Sequence, residues 1–488
     1  MEVAAYQPYI DPDYDSFIER IYPAKVCIDN ETCRDCTLVK VDSANKHGIL
    51  LEMVQVLTDL DLVISKSYIS SDGGWFMDVF HVTDQLGNKL VDESLIHYIE
   101  QALCATRRAG LAKEIQGSSQ RKHFGPRHMS SEHTVLEMTG TDRPGLLSEM
   151  SAVLAELECH IASAVAWTHH DRAACIFYVE DGVRTGPITD PRRLAQIEEQ
   201  LENVVEAHHA KGERRSVRLT GPMAGQTHAE RRLHQLMFAD MDYEQCRCCG
   251  HSCCGDGGGR GGYEHRKGCE GAHVSIESWK DKGYSVVNVQ SRDRPKLLFD
   301  TVCVLTDMQY VVFHASVSSE GALANQEYFI RHRDGCTLDS ETEQRKLTQC
   351  LLAAVERRAS HGLRLEVSTQ NRPGLLSDVT RVFRENGLSI MRADIGIRGE
   401  RAIGSFYVTE ASGSDVSPST VELVRKEIGG SVLIVNKSSG ASTPQGPLSA
   451  LSAGLIGRNG DEKPKLSLGS LIWSQLERFS SNFGPIKL

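Results

Sequence analysis

The sequence predicts an α+β fold of four tandem ferredoxin-like units, each running strand–helix–strand–strand–helix–strand. Three observations carry this. A short loop motif recurs four times along 488 residues, the apolar register downstream of it is kept without a gap, and each copy repeats the same order of hydrophobic periods. Asp142-Arg-Pro-Gly-Leu-Leu-Ser148 and Asn371-Arg-Pro-Gly-Leu-Leu-Ser377 nearly coincide. Asp293-Arg-Pro-Lys-Leu-Leu298 is close, and Asn45-Lys-His-Gly-Ile-Leu50 is a weaker fourth. With Gly48, Gly145, Lys296 and Gly374 as origin, the eighth residue on is Val56, Val153, Val304 and Val382. The sixteenth is Ile64, Ile161, Val312 and Ile390.

Each element has its own reason. Thr37–Val41, Thr134–Met138, Ser285–Val289 and Leu363–Val367 are short apolar runs bounded by turn residues, and read as strands. After each loop, apolar residues fall at helical spacing, as in Leu146, Leu147, Met150, Val153, Leu154 and Leu157. Pro144 suits a helix start, with Asp142 available as its cap. A second strand (Ile161–Trp167), a polar turn (Thr168–Arg172) and a third strand around Phe177-Tyr-Val179 follow, then a second helix, clearest at Pro191–Ala207 and Thr342–Ala359. Final strands stand at Ser216–Leu219 and Ser431–Val435. The third copy has no room for one, because Leu363–Val367 follows Ala359 almost at once, and the first copy is expected to lack one too. One face of such a small antiparallel sheet needs cover, so the copies are expected to pair, through sheets or edges, within the chain or in a homodimer.

The expected organisation is an N-terminal segment (1–34), units at 35–115 and 132–220, a linker (221–282), units at 283–360 and 361–437, and a Ser/Gly-rich linker and tail (438–488). The linker opens with a helix, Ala229–Ala239, and continues as a Cys/Gly-rich, low-complexity insert. There Cys246, Cys248, Cys249, His251, Cys253, Cys254, His265 and Cys269 include one subset, Cys246-x2-Cys249 with His265-x3-Cys269, at zinc-compatible spacing. The run of glycine between the halves favours disorder over a metal site. The tail carries Leu471, Ile472, Leu476 and Phe479 at helical spacing, as a docking helix would.

Composition excludes some classes. Lys+Arg 54 against Asp+Glu 65 gives a net charge of −11, with no general basic field for nucleic acid. No apolar run is long enough to span a membrane. The acidic N-terminus lacks a signal peptide's apolar region, and 15 scattered cysteines fit a reducing compartment, so a cytoplasmic or nuclear protein is expected. Catalysis is not expected, and no cofactor is implied. Asp240-Met-Asp242 lacks the upstream Gly-Ser of a nucleotidyltransferase, His169-His170-Asp171 reads as a polar hairpin turn, and no P-loop, dinucleotide or zinc-protease motif occurs.

The loops admit two readings. Asp or Asn, Pro and Gly make a good structural turn with no ligand at all. The same residues place backbone N–H groups at a helix N-terminus, where a carboxylate can sit, beside an acidic or amide side chain that can hold an ammonium. That combination suits a free amino acid as the small-molecule partner.

Four such units, with D-R-P-G and N-R-P-G loops, resemble ACT domains. Arg231-Arg-Leu-His-Gln-Leu-Met-Phe-Ala-Asp240 and Asp293-Arg-Pro-Lys-Leu-Leu-Phe-Asp-Thr-Val302 are similar to the linker and third repeat of the plant ACT-domain-repeat family, uridylyltransferase-like in name. The resemblance spans about residues 35 to 436 and implies non-catalytic regulatory modules that bind amino acids at interfaces between units. Carried over by position, it selects Asp142, Arg143, Gly145 and Leu146 with Ile161 and Ala164, and Asn371, Gly374 and Leu375 with Ile390 and Ala393. Lys296 in the third loop and Lys46-His47 in the first depart from the motif, so those units are expected to be structural partners. The alternatives are a scaffold that has lost its ligand, or metal binding by the cysteine insert.

Overall fold

The computed structural model describes residues 25–44, 47–72, 75–105, 133–184, 186–207, 213–221, 228–244, 271–358, 362–429 and the backbone of 431–435. The cysteine cluster and the C-terminal tail lie outside these.

Unit 1 comprises β1 (Lys25–Asp29), β2 (Thr37–Ala44), α1 (Ile49–Asp59), β3 (Val63–Asp72), β4 (Trp75–Thr83) and α2 (Glu93–Ala105). Unit 2 comprises β5 (Thr134–Thr141), α3 (Leu146–Glu156), β6 (Cys159–His169), β7 (Arg172–Asp181), α4 (Pro191–Glu206) and β8 (Ser216–Thr220). The linker contributes α5 (Ala229–Ala239), as its periodicity predicts, and a 3-10 turn at Asp242–Glu244. Unit 3 has β9 (His273–Trp279), β10 (Tyr284–Arg292), α6 (Leu297–Asp307), β11 (Tyr310–Glu320), β12 (Leu323–His332) and α7 (Glu341–Arg357). Unit 4 has β13 (Leu363–Gln370), α8 (Leu375–Glu385), β14 (Leu388–Arg398), β15 (Arg401–Glu410), α9 (Pro418–Ile428) and β16 (Ser431–Val435).

The units pair out of sequence, by edges. Units 1 and 3 form one eight-stranded sheet, β1-β2-β4-β3-β11-β12-β10-β9, and units 2 and 4 a second, β16-β13-β15-β14-β6-β7-β5-β8. The joining strands are antiparallel, β3 to β11 and β6 to β14. Pairing the edges satisfies backbone groups that would otherwise be left open, and it brings α1 against α6 and α3 against α8. Every second strand carries a bulge at the same place, just after Ile64, Ile161, Val312 and Ile390. A bulge bends and re-aims a strand, and here it falls where the partner unit's loop arrives.

Two features correct the sequence reading. The outer sheet position that β8 and β16 fill in units 2 and 4 is taken in units 1 and 3 by strands that come before the unit. β1 pairs with β2, and β9 pairs with β10 through a tight turn at Lys280–Gly283. Both strands fall outside the limits 35–115 and 283–360, so these units are circular permutations of the other two. An antiparallel edge is paired equally well by a strand arriving from either end of the unit, and α7 must run almost directly into β13. The second correction concerns the loops. Asp142 does not cap α3. The helix starts at Leu146, and its N-cap is Gly145 with φ +88°; Gly48, Lys296 and Gly374 are left-handed in the same way. The loop needs that conformation at its fourth position, which pushes the helix start beyond Asp142's reach, and only Lys296 bears the strain of a side chain there.

Helix α5 explains how the two sheets are held. Leu233 and Met237 pack on Val135, Trp167, Ala174 and Ile176, on the face of the second sheet away from its own helices. The other side of α5 meets α6 through charge. Glu230 binds Lys296 and Arg358, and His234 donates to Asp300. Nearby Arg172 is paired with Asp240, and Arg357 with Asp242. Asp240 and Asp242 are therefore buried and committed to these arginines.

Candidate functional site

Edge pairing sets each loop against the other unit's helix and second strand, so the predicted residues regroup across the interface. Asn371, Gly374 and Leu375 of unit 4 face Ile161 of unit 2, not Ile390 of their own unit. They line a cavity of about 610 Å³ including its mouth. Asp142, Arg143, Gly145 and Leu146 of unit 2 face Ile390 of unit 4 around a smaller space of about 290 Å³. Ala164 and Ala393 line neither cavity. They lie buried on the paired strands, where Ala164 stands opposite Ile395 and Ala393 opposite Ala166.

The two cavities are pseudo-equivalent, and one residue makes them unequal. Ten residues after the loop's fourth position, unit 2 has Ala155 and unit 4 has Arg384. Above Gly374 the nearest atom to a hypothetical Cβ is the methyl of Ala155, 3.9 Å away. Above Gly145 the Arg384 stem is only 2.7 Å from that point. Arginine therefore fills the unit 2 loop, and alanine leaves the unit 4 loop open. The floor of the larger cavity comes from Val367, Ile395 and Phe406, whose ring lies 2.7 Å from where a Cβ of Gly404 would be. Its polar side chains are Ser151, His160, Thr369, Asn371, Arg372 and Ser377, beside the backbone at the start of α8, where Gly374 offers no capping side chain. An apolar pocket with a few convergent polar groups is the usual form of a small-molecule site.

Charges at the smaller site are already committed. Arg143 grips both Glu149 oxygens at 2.9 and 2.6 Å. Burial pushes the Asp142 carboxyl up to about 6, although the Arg143 N–H and Thr168 hydroxyl pull it down. Because the folded value lies above the unfolded one, the folded state holds its proton longer, and stability falls as pH rises through about 6. Asp142→Asn, which copies Asn371, should therefore stabilise the protein by ~1–2 kcal/mol above that pH and bring no gain near pH 4. Urea unfolding at the two pH values checks this.

A third cavity, of about 690 Å³ with its mouth, lies between the unit 3 loop and Thr58, Leu62 and Ile64 of unit 1. The Lys296 ammonium there is drawn onto both oxygens of Glu230. Sequence reasoning missed Ala155, Arg384, Gly404 and Phe406. The repeat register contained the signal for the first two, since both stand at the same offset from their loops.

Four edge-paired units, two running βαββαβ and two circularly permuted, with cavities where a loop of one meets a strand of another, define an ACT-domain protein, a regulatory rather than a catalytic domain type. The ACR family N-terminal ACT domain matches residues 32–110, and ACT domains match residues 132–210 and 363–429. The chain is 54% identical over 491 residues to the ACT domain-containing protein ACR1 of Arabidopsis thaliana, covering 99% of each. It is 51% identical to ACR3 of the same plant over 88% of this chain and 90% of that one. A bifunctional uridylyltransferase/uridylyl-removing enzyme of Gluconobacter oxydans is 33% identical over 34% of this chain and 19% of its own length. The chain belongs to the ACT domain-containing ACR family. Among the described residues no helix is long and apolar enough to cross a membrane.

Proposed function

We propose that the protein senses a free amino acid in the cavity between units 2 and 4. The observation that carries this reading is the alanine at 155, which leaves space over the Gly374 backbone. In that space the ligand carboxylate sits on the first-turn N–H groups of α8, at the positive end of the helix dipole. The ammonium meets the Asn371 side-chain oxygen. The side chain lies among Ile161, Leu375 and Phe406, which favours an apolar amino acid. Because the site takes half its wall from each unit, occupancy stabilises the β6–β14 junction and so reports amino-acid level as a stiffer unit pair.

Thermal unfolding of the full chain with each amino acid singly at millimolar concentration tests this. A ligand at 100 times its dissociation constant stabilises the native state by about 2.7 kcal/mol. A shift with one or two apolar amino acids supports a sensor; no shift with any of them leaves the loops as structural turns.

A further inference from the structure

The hairpin between β6 and β7 does more than turn the chain. His170 and Asp171 both have positive φ, +46° and +59°, the backbone of a tight two-residue hairpin turn that usually takes Asn or Gly. The turn lands on the C-terminal end of α7 and on the 3-10 turn of the linker, and presents two adjacent imidazoles there, with ring centroids 3.8 Å apart.

Their tautomers are set by their partners. His169 Nδ1 lies 2.8 Å from Oδ2 of Asp242, and His170 Nδ1 lies 3.2 Å from the Asp242 carbonyl oxygen. A carboxylate and a carbonyl only accept, so each Nδ1 carries a proton, and in the neutral ring each Nε2 is left as the lone-pair atom. Both Nε2 atoms look toward one carboxylate oxygen of Glu356, at 3.5 and 3.9 Å. The His169 Nε2 is buried and makes no hydrogen bond. The three donor atoms lie within 4.8 Å of one another.

We propose that His169, His170 and Glu356 form a binding site for a divalent transition-metal ion of the zinc type, held jointly by units 2 and 3. Two imidazoles and one carboxylate are a borderline donor set suited to zinc. Asp242 supplies to both histidines the outer hydrogen bonds that metal-bound imidazoles ordinarily make. Metal–ligand bonds of about 2.0–2.2 Å need the donors to close by less than ~1 Å, and His170, on the partly exposed turn, has that freedom. His170 and Glu356 also line a cleft with Tyr243, Glu244 and Glu341, so the remaining coordination position opens to solvent. An ion here would clamp the β6–β7 hairpin to α7, tying the two eight-stranded sheets together.

The test uses the full chain with Cys246, Cys248, Cys249, Cys253, Cys254 and Cys269 changed to serine, so that insert thiolates contribute nothing. Zinc is titrated against a competing chelator, and cobalt(II) is used as a spectroscopic probe. The expected result is one zinc per chain and a cobalt spectrum without thiolate charge transfer. Glu356→Gln and His170→Ala should each weaken zinc by more than the roughly 10–100-fold that loss of an outer-shell partner costs. Both side chains are partly exposed, so both variants should melt like the parent when zinc is absent. No zinc bound by the serine chain, or zinc affinity in both variants equal to that of the serine chain, would overturn the proposal.

Discussion

Replacing Ala155 by arginine is expected to abolish amino-acid binding between units 2 and 4, weakening it by at least ~100-fold, or about 2.7 kcal/mol. The protein itself supplies the precedent. At the equivalent place in unit 4, the Arg384 stem lies over Gly145 and occupies the space that Ala155 leaves over Gly374. Position 155 is near the end of α3, and its cavity opens to solvent, so an arginine can follow the same path with its guanidinium outside. Stability should change little. The reciprocal variant, Arg384→Ala, should clear the unit 2 loop and raise the stoichiometry from one ligand to two per chain. Titration calorimetry on both variants reads the two effects directly. Unchanged binding in Ala155→Arg would move the site elsewhere.

The largest expected loss of stability is in Asp300→Ala, at about 3–5 kcal/mol. Asp300 is fully buried and accepts from two guanidinium groups and an imidazole at once: Arg358 at 2.7 Å, Arg294 at 2.7 Å and the His234 ring at 2.8 Å. Removing the acceptor leaves two guanidinium groups buried without it, and breaking a buried pair in this way costs more than the pair itself contributes. Glu230 would keep Arg358 but not Arg294. The same network sets an acid limit. Burial by itself would raise Asp300, but Arg358 and Arg294 hold its carboxyl well below the usual range, and Glu230 is depressed likewise, chiefly by Arg358 and Lys296. For carboxyls whose folded value is depressed, stability is fully present above the unfolded value of about 4 and is lost as pH falls below it. Urea midpoints of the wild type should therefore drop steeply below pH 4, and those of Asp300→Ala less so.

The four-unit plan was legible because the loop motif, helix and second strand repeat in one register. Those elements depend on local spacing of apolar residues, which a sequence displays directly. The strands β1 and β9 were not legible. Lys-Val-Cys-Ile-Asp and His-Val-Ser-Ile-Glu-Ser-Trp are short edge segments, and what makes them strands is the partner edge each one covers. Helix α5 was legible as a helix but not as a bridge, because Glu230 and His234 look like surface residues until Arg358 and Asp300 face them. The candidate site was half legible. The loops were found, but each was grouped with the strand of its own unit, since a repeat read alone does not say that edges pair across units. Ala155 and Arg384 look like ordinary positions on a helix. They acquire meaning only when α3 and α8 pack side by side and each helix reaches the other's loop. The pair His169-His170 read as a polar turn, because the Glu356 and Asp242 that give it a chemistry lie far along the chain.

The most direct test of the central reading is hydrogen exchange on the full chain, with and without the amino acid that shifts its melting. Protection should appear in two stretches, residues 371–377 and 155–162, because those segments form the two walls of one cavity. Protection confined to residues 293–299, or absent from both predicted stretches, would contradict a ligand site between units 2 and 4.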